Sequence, residues 1–260
     1  MKTNLFFFLV LCSCAPTVGA QEVPLPENLK SHVLYRNGFD TKESLRDSGC
    51  KWKIRTDRSG IKPDGITGSC IVFESGSTGW QVSGEGLAPG KAKTLSVWFK
   101  TDKEFPAGAE LRMLDNSANR PSGDSKRPGV LSMFVMDRMS GLKKPGIFLQ
   151  AYHLPGCTNL HHAASRDFNQ DCRPGQWHHA AITCNGKTIA YYLDGKLLKQ
   201  KSLETSLPPE PEPGGILFGR SIGTASQFDE FIMFDTALDE TVIREYYEFV
   251  SVLLARKELL

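Results

Sequence analysis

Two dipeptides, Asn185-Gly186 and Asp194-Gly195, punctuate the stretch Gln176–Lys201 (QWHHAAITCNGKTIAYYLDGKLLKQK). Both suit the positive φ that a two-residue type I′ turn demands, and apolar residues alternate around them. Ile189, Tyr191 and Leu193 share one face of the segment between them, so the stretch is predicted to be a three-stranded meander. Thr94–Lys100 (TLSVWFK) alternates in the same way. Leu95, Val97 and Phe99 fall on one face and Ser96, Trp98 and Lys100 on the other, the period of a half-buried strand. Gly215–Arg220 and Phe228–Phe234 read as two further short strands. Leu207–Gly214 (LPPEPEPG) is a loop, because proline cannot donate to a ladder. Such a chain of short antiparallel strands argues for a β-sandwich. One helix is expected, from Asp239 onward. Arg244, Glu248, Ser251 and Glu258 form its polar stripe, and Val242, Tyr246, Phe249, Val250 and Leu253 its apolar side. It either docks on the sandwich or serves as an oligomerisation or membrane-surface helix. No fixed-period repeat supports a solenoid or propeller.

The first twenty residues read as a signal peptide rather than as part of the fold. Lys2 opens it, Leu5–Leu11 (LFFFLVL) is too short to span a bilayer, and Val18-Gly19-Ala20 offers the small residues that precede cleavage. Leu11-Cys12-Ser13-Cys14 is an imperfect lipobox, which leaves lipidation of Cys14 as the rival to plain export. No other stretch has the ~20 apolar residues of a membrane helix. Residues 21–32 are expected to be a linker, 33–248 the domain and 249–260 a helical extension. A chain with 40% hydrophobic and 23% charged residues is not disordered. Its 31 basic residues against 29 acidic give no reason to expect nucleic acid as a partner.

Export makes the cysteines informative, since thiols pair in an oxidising compartment. Cys157 and Cys172 bracket a polar loop, and a bridge closing it is worth roughly 3 kcal/mol. Cys50 and Cys70 bracket a Gly-rich segment and form a second expected pair. Cys184 is left over as a buried thiol on a strand.

The order of several short motifs resembles the laminin G-like, or concanavalin A-like, jelly-roll family. Asn37-Gly38-Phe39-Asp40 is similar to its opening strand, Gly68–Phe73 to its second, and Leu95–Lys100 to its Trp-bearing third. Gly175–His179 through Tyr192–Lys196 resembles the central hairpins. Leu217–Arg220, Phe228–Phe231 and Ala237-Leu238 resemble the closing strands and the entry to a short helix. The resemblance spans residues 33–248. It departs at Val242, where the family often has Glu, and at Cys184, where an aromatic residue is usual. It implies an all-β fold: a two-sheet antiparallel jelly-roll sandwich with a short C-terminal helix. It also implies binding of glycans or proteins, sometimes with calcium. No single activity follows, because function must be argued from a site.

Relatives that hydrolyse glycosides carry a Glu-x-Asp-x-x-Glu strand, which places two carboxylates about 5–5.5 Å apart. This chain contains no Glu-x-Asp. Asp229 and Glu230 are adjacent and face opposite ways on a strand, so one is expected to be structural and the other solvated. Gly219-Arg220-Ser221-Ile222-Gly223 matches a nucleophile-elbow pattern, but no histidine follows Ser221 and a strand, not a helix, comes next. His153, Cys157, His161 and Cys172 fit no common zinc spacing. His178 and His179 point oppositely on one strand and are both expected to be structural.

Binding is the remaining class. The loop Asp115–Pro128 (DNSANRPSGDSKRP) is polar, and Asp115 and Asn116 open it as candidate ligand or calcium groups. It is not an EF-hand, since Arg120 stands where the turn Gly belongs and Lys126 where the bidentate Glu belongs. Trp80 and Tyr152 lie near Gly-rich or polar segments and are the candidates for stacking on sugar rings. Trp98 and Trp177 are expected to fill the core. The expectation is an exported, non-catalytic binding module for a polysaccharide or other glycan. A protein-interaction or cell-surface structural module, meeting an extracellular protein, is the alternative.

Overall fold

A computed structural model describes residues 23–41, 51–54, 58–83, 94–103, 105–115, 130–136, 146–152, 160–163, 172–203, 215–257 and 259. The chain enters through a short helix, α1 (Glu27–Lys30), and β1 (Val33–Asn37). There follow β2 (Lys51–Ile54), β3 (Ser59–Lys62), β4 (Cys70–Phe73), β5 (Thr78–Ser83), β6 (Thr94–Thr101), β7 (Glu110–Asp115) and β8 (Val130–Met136). Next come β9 (Gly146–Tyr152), β10 (Leu160–Ala163), β11 (His178–Cys184), β12 (Thr188–Leu193), β13 (Lys196–Ser202), β14 (Gly215–Ile222) and β15 (Ser226–Phe234). The helix α2 (Glu240–Lys257) closes the sequence of elements. It runs unbroken through the expected boundary between residues 248 and 249.

The strands form two antiparallel sheets. The first has the order β13-β12-β11-β6-β15-β4-β3, with β1 also on β15, and the second the order β10-β9-β8-β7-β14-β5-β2. Consecutive strands pair in β11-β12-β13, β3-β4 and β7-β8-β9-β10, but β6 lies between β11 and β15, and β14 between β5 and β7, crossovers that belong to a jelly roll rather than to a simple meander. The predicted meander is present as β11-β12-β13. Its Asp194-Gly195 corner is a two-residue turn with φ of 49° and 74°, and Leu193 pairs with Lys196 across it. The Asn185-Gly186 corner is longer than expected. Residues 185–187 separate the strands, and Asn185 Oδ1 accepts the N–H groups of Lys187 at 2.9 Å and Thr188 at 2.7 Å.

Alternation explains the core. Val97, Phe99, Ile182, Tyr191 and Phe228 of the first sheet meet Leu111, Met113, Val135 and Leu149 of the second. The other face of the first sheet is also covered, contrary to the half-buried expectation for Thr94–Lys100. Trp98, Ala181, Tyr192 and Ile232 pack under Ile243, Tyr246 and Val250 of α2. Val23, Leu25 and Leu29 join the same cluster, so the segment expected to be a linker is part of the packed structure.

At the centre of the first sheet, β15 changes partner. Ser226–Phe228 pair with β4, whereas Phe231–Phe234 pair with β1. Asp229 and Glu230 occupy the gap, where the register against β6 shifts and Glu230 takes φ +47°. Both side chains are buried, so the expectation that one is solvated is corrected. The reason is local. The gap leaves backbone N–H groups without ladder partners, and carboxylates are the acceptors that satisfy them. Asp229 Oδ2 accepts from Ile66 N at 2.6 Å, and its Oδ1 from Glu230 N at 2.7 Å. Glu230 Oε1 accepts from Val23 N at 3.1 Å, while Oε2 takes two Arg36 donors at 2.7 and 3.0 Å. Arg36 also donates to the Val23 carbonyl. Gly65 makes the approach possible, since a β-carbon there would lie 2.1 Å from Ser69 O and 2.7 Å from Asp229 Oδ2.

Removing one partner of a buried ion pair leaves an uncompensated charge, at a cost of about 3 kcal/mol or more. Arg36→Ala is therefore expected to lower the stability measured by urea unfolding by about that amount. A loss below roughly 1 kcal/mol, the level of an exposed pair, would show that Glu230 does not depend on Arg36.

Candidate functional site

The outer face of the first sheet changes character along its length. On β6 the outward residues are Ser96, Trp98 and Lys100, and on and before β11 they are Trp177, His179 and Ala181. Under α2, Ser96, Trp98, His179 and Ala181 are sealed. Trp98 stacks on Tyr247 at 5.6 Å with 11° between planes, and His179 lies 5.2 Å from Trp98 and edge-on to Tyr246 at 5.4 Å. His179 Nε2 is 2.7 Å from Ser96 Oγ. Burial pushes this imidazole down to about 4, against a smaller opposing pull from Asp194.

Beyond the last turns of α2 the same face opens into a cleft of about 490 Å³. Its floor holds Lys100, Gln176 and the half-buried Trp177; one wall is Asp64-Gly65 and the other Ser251, Leu254 and Lys257 of α2. Lys100 Nζ lies 5.1 Å from the centre of the Trp177 ring and 2.7 Å from Asp64 Oδ2. Lys257 Nζ donates to the Gly65 carbonyl and ties the helix end to the β3–β4 loop. Trp177 is positioned from behind. His178 Nδ1 is 2.7 Å from Asp194 Oδ2 and its Nε2 3.1 Å from the Arg173 carbonyl. Asp194 Oδ1 also accepts from His179 N at 2.9 Å. The Asp194-Gly195 turn thus fixes the strand that presents Trp177. An aromatic ring beside ammonium, carboxylate, amide and hydroxyl groups is a surface for binding a small polar ligand.

The residues expected from sequence are distributed differently. Trp80 is only 4% exposed. It packs edge-on against Phe73 at 5.9 Å, and its Nε1 donates to Ser59 Oγ at 2.9 Å. Its alternation on β5 turns it into the core, and no ring face is left for a sugar. Asp115 and Tyr152 end β7 and β9 at the same end of the second sheet, Asp115 being level with Ser132 and Ser132 with Gln150. Asn116 and the rest of the Asp115–Pro128 loop lie outside the described residues. Trp98 is buried as expected, but Trp177 is not a core residue. Its position just after a turn, at the mouth of β11, was the signal for an accessible ring.

Several reactive groups are accounted for structurally. Ser221 is fully buried with its Oγ 2.6 Å from Ser226 Oγ, so it is no exposed nucleophile. His178 and His179 have the structural roles expected of them. Cys184 is a buried thiol on β11. Cys70 is buried, and its thiol is pushed up to about 12, first by desolvation and then by Asp229. Cys172 is buried too, while Cys50, Cys157 and His153 lie outside the described residues. Calcium needs several free oxygens aimed at one point. The buried carboxylates Asp229 and Glu230 instead point at N–H groups, and Asp40 Oδ1 accepts from Ser69 N at 2.8 Å. Among the described residues no group of three or more His, Cys, Asp or Glu side chains is placed to hold a metal ion. These carboxylates therefore do not fit a calcium cage.

Residues 74–244 match a family described as the concanavalin A-like lectin/glucanases superfamily. No curated protein matches the chain by sequence. Among solved structures, the chain resembles the binding domain of Paraclostridial Mosquitocidal Protein 1. The TM-score is 0.60 at 15% identity, over 84% of this chain and 52% of that one. It also resembles the binding domain of botulinum neurotoxin DC in complex with rat synaptotagmin II, with TM-score 0.57 at 12% identity, over 85% and 52%. The same binding domain in complex with SialylT gives 0.56 at 12%, over 85% and 52%. The chain spans about half the length of these domains, and at such identity the likeness is one of fold.

The buried His179 predicts a pH dependence. Its folded-state value lies below its ordinary 6.5, so the unfolded chain binds the extra proton between about 6.5 and 4. Stability is present in full above that window and is lost as pH falls through it, by roughly 3 kcal/mol. Asp229, held well above the carboxylate range by burial and by Glu230, acts in the opposite sense as pH rises. The comparison is therefore between wild type and His179→Leu in urea unfolding at a series of pH values. The variant should lose the fall between pH 6.5 and 4; an unchanged slope would remove His179 as its cause.

Proposed function

Residues 74–244 make the chain a member of the concanavalin A-like lectin/glucanase superfamily, and from that premise we propose that it is a non-catalytic carbohydrate-binding module. The observation that carries this reading is the half-buried Trp177 in the cleft at the end of α2. An indole face matches the C–H surface of a sugar ring, and Gln176, Ser251 and Asp64 supply hydrogen-bonding groups around it. The volume suits one or two sugar units rather than a buried large ligand. Asp115 and Tyr152, on the second sheet and at its end away from the cleft, are a separate, secondary contact region. The oxygen-rich Asp115–Pro128 loop is the proposed place for calcium in this reading. A protein partner is the second reading, favoured by the structural relative solved with synaptotagmin II.

The same reading takes the chain as exported after cleavage following Ala20, or tethered through Cys14, with disulfides Cys157–Cys172 and Cys50–Cys70. Non-reducing peptide mapping by mass spectrometry of the secreted product is expected to find an N-terminus at Gln21 and both bridges. A lipid on Cys14 would replace free secretion by tethering, and unmodified Cys157 and Cys50 would remove the bridges.

The binding test is a polysaccharide panel run with calcium and again with chelator. At least one glycan is expected to bind, and Trp177→Ala to weaken it at least tenfold, about 1.4 kcal/mol. Trp80→Ala is expected to lower the melting temperature without changing affinity at temperatures where it is folded. No binding in either condition would sink the carbohydrate reading, and binding indifferent to Trp177→Ala would move the site elsewhere.

A further inference from the structure

The side of α2 turned away from the sandwich carries a pattern that complements itself. Glu245, Phe249, Val252 and Arg256 are all exposed. Their spacings of four, three and four residues place them in one stripe along the helix. Phe249 is 36% and Val252 52% exposed, although sequence periodicity assigns Phe249 to the apolar, docked side. The order is acid, apolar, apolar, base, and α2 carries acidic Glu240 in its first turn and basic Arg256 and Lys257 in its last. Reversing the helix about a point between Val250 and Ser251 exchanges Glu245 with Arg256 and Phe249 with Val252.

We propose that this stripe is a homodimer interface in which α2 of one chain lies antiparallel to α2 of a second copy. A two-fold axis passing between Val250 and Ser251 sets Phe249 of each chain against Val252 of the other. It sets Glu245 of each against Arg256 of the other, so two ion pairs bracket the apolar contact. Such isologous pairing is how one patch satisfies itself. The second copy is favoured over an unrelated partner because both apolar positions and both charges are matched by the same operation. An anionic membrane surface is disfavoured by Glu245 and Glu248. Ser251 and Leu254 face Trp177 from another side of α2, so the pairing leaves the cleft open. The proposal stands independently of the carbohydrate reading. A single helix pair buries less than the ~1,200–2,000 Å² of a stable interface, so the dimer is weak and concentration-dependent.

Sedimentation equilibrium of the chain, from low micromolar to near-millimolar and with a non-reducing gel to exclude intermolecular disulfides, reads this directly. The expected result is a reversible monomer–dimer equilibrium. Phe249→Ser is expected to weaken it by about tenfold or more. Glu245→Arg and Arg256→Glu are each expected to weaken it as well, because like charges then meet. The double variant Glu245→Arg, Arg256→Glu is expected to regain wild-type association. All of these positions are exposed, so an unchanged melting temperature of the dilute monomer confirms that each variant folds. A monomer at every concentration overturns the proposal, as does a dimer indifferent to Phe249→Ser or one that the double exchange fails to restore. Trp177→Ala leaves association unchanged, which separates this test from the failure of the glycan reading.

Discussion

Asp229 and Glu230 hold together four parts of the chain that would otherwise have no common anchor. The strand β15 is central to the first sheet and must pair with β6 on one side and with both β4 and β1 on the other. One strand cannot run two ladders end to end without a gap, and a gap in a buried sheet exposes backbone donors that water cannot reach. The two carboxylates resolve that conflict. Asp229 reaches the β3–β4 loop at Ile66, and Glu230 reaches the entering chain at Val23 and β1 at Arg36. Burial and the charge of Glu230 hold Asp229 well above the usual carboxylate range. Glu230 has a cation to balance it, and the division of labour follows from which of the two Arg36 can reach.

The cleft inherits its position from this anchor and from one turn. The β3–β4 loop fixed by Asp229 supplies Asp64 and Gly65 to one wall, and Lys257 closes on that wall from α2. The Asp194-Gly195 turn takes left-handed backbone at both residues, which points the Asp194 carboxylate back at His178 and His179. Trp177 precedes them directly. A turn read as a hairpin signal is thus also the support of the half-buried indole, and fold and site are not separable there.

Much of the fold was legible because it depends on local rules. The alternation of Leu95, Val97 and Phe99, the Asp194-Gly195 turn and the proline-rich loop each declare a strand, a corner or a break without reference to distant residues. The burial of Asp229 and Glu230 was not legible, since it depends on where β1 and β4 part company. Sequence reasoning expected Trp98 in the core and both histidines to be structural, but read Thr94–Lys100 as half-buried and Trp177 as a core residue. Only the docking of α2 decides that Trp98 and His179 are sealed while Lys100 and Trp177, one alternation further along each segment, are not. The tryptophans show the same limit. Trp80 and Trp177 are both near glycines, and their exposures follow from which face of which sheet they occupy.

The geometry of the carboxylates also separates binding from hydrolysis. Glycoside cleavage needs two carboxyl groups facing an accessible sugar, with one kept protonated and the other ionised. Asp229 and Glu230 differ in environment in the manner that such chemistry uses, but both are sealed and their oxygens are committed to N–H groups. Among the residues lining the cleft, Asp64 is the carboxylate, and it is paired with Lys100 at 2.7 Å. That pairing commits the one carboxylate of the cleft lining to Lys100, and no second carboxyl group stands opposite it among the described residues of the lining. The buried acids are spent on holding the sheet, and the accessible one is paired with Lys100. What the cleft retains is an aromatic face and a ring of hydrogen-bonding groups, the chemistry of recognition.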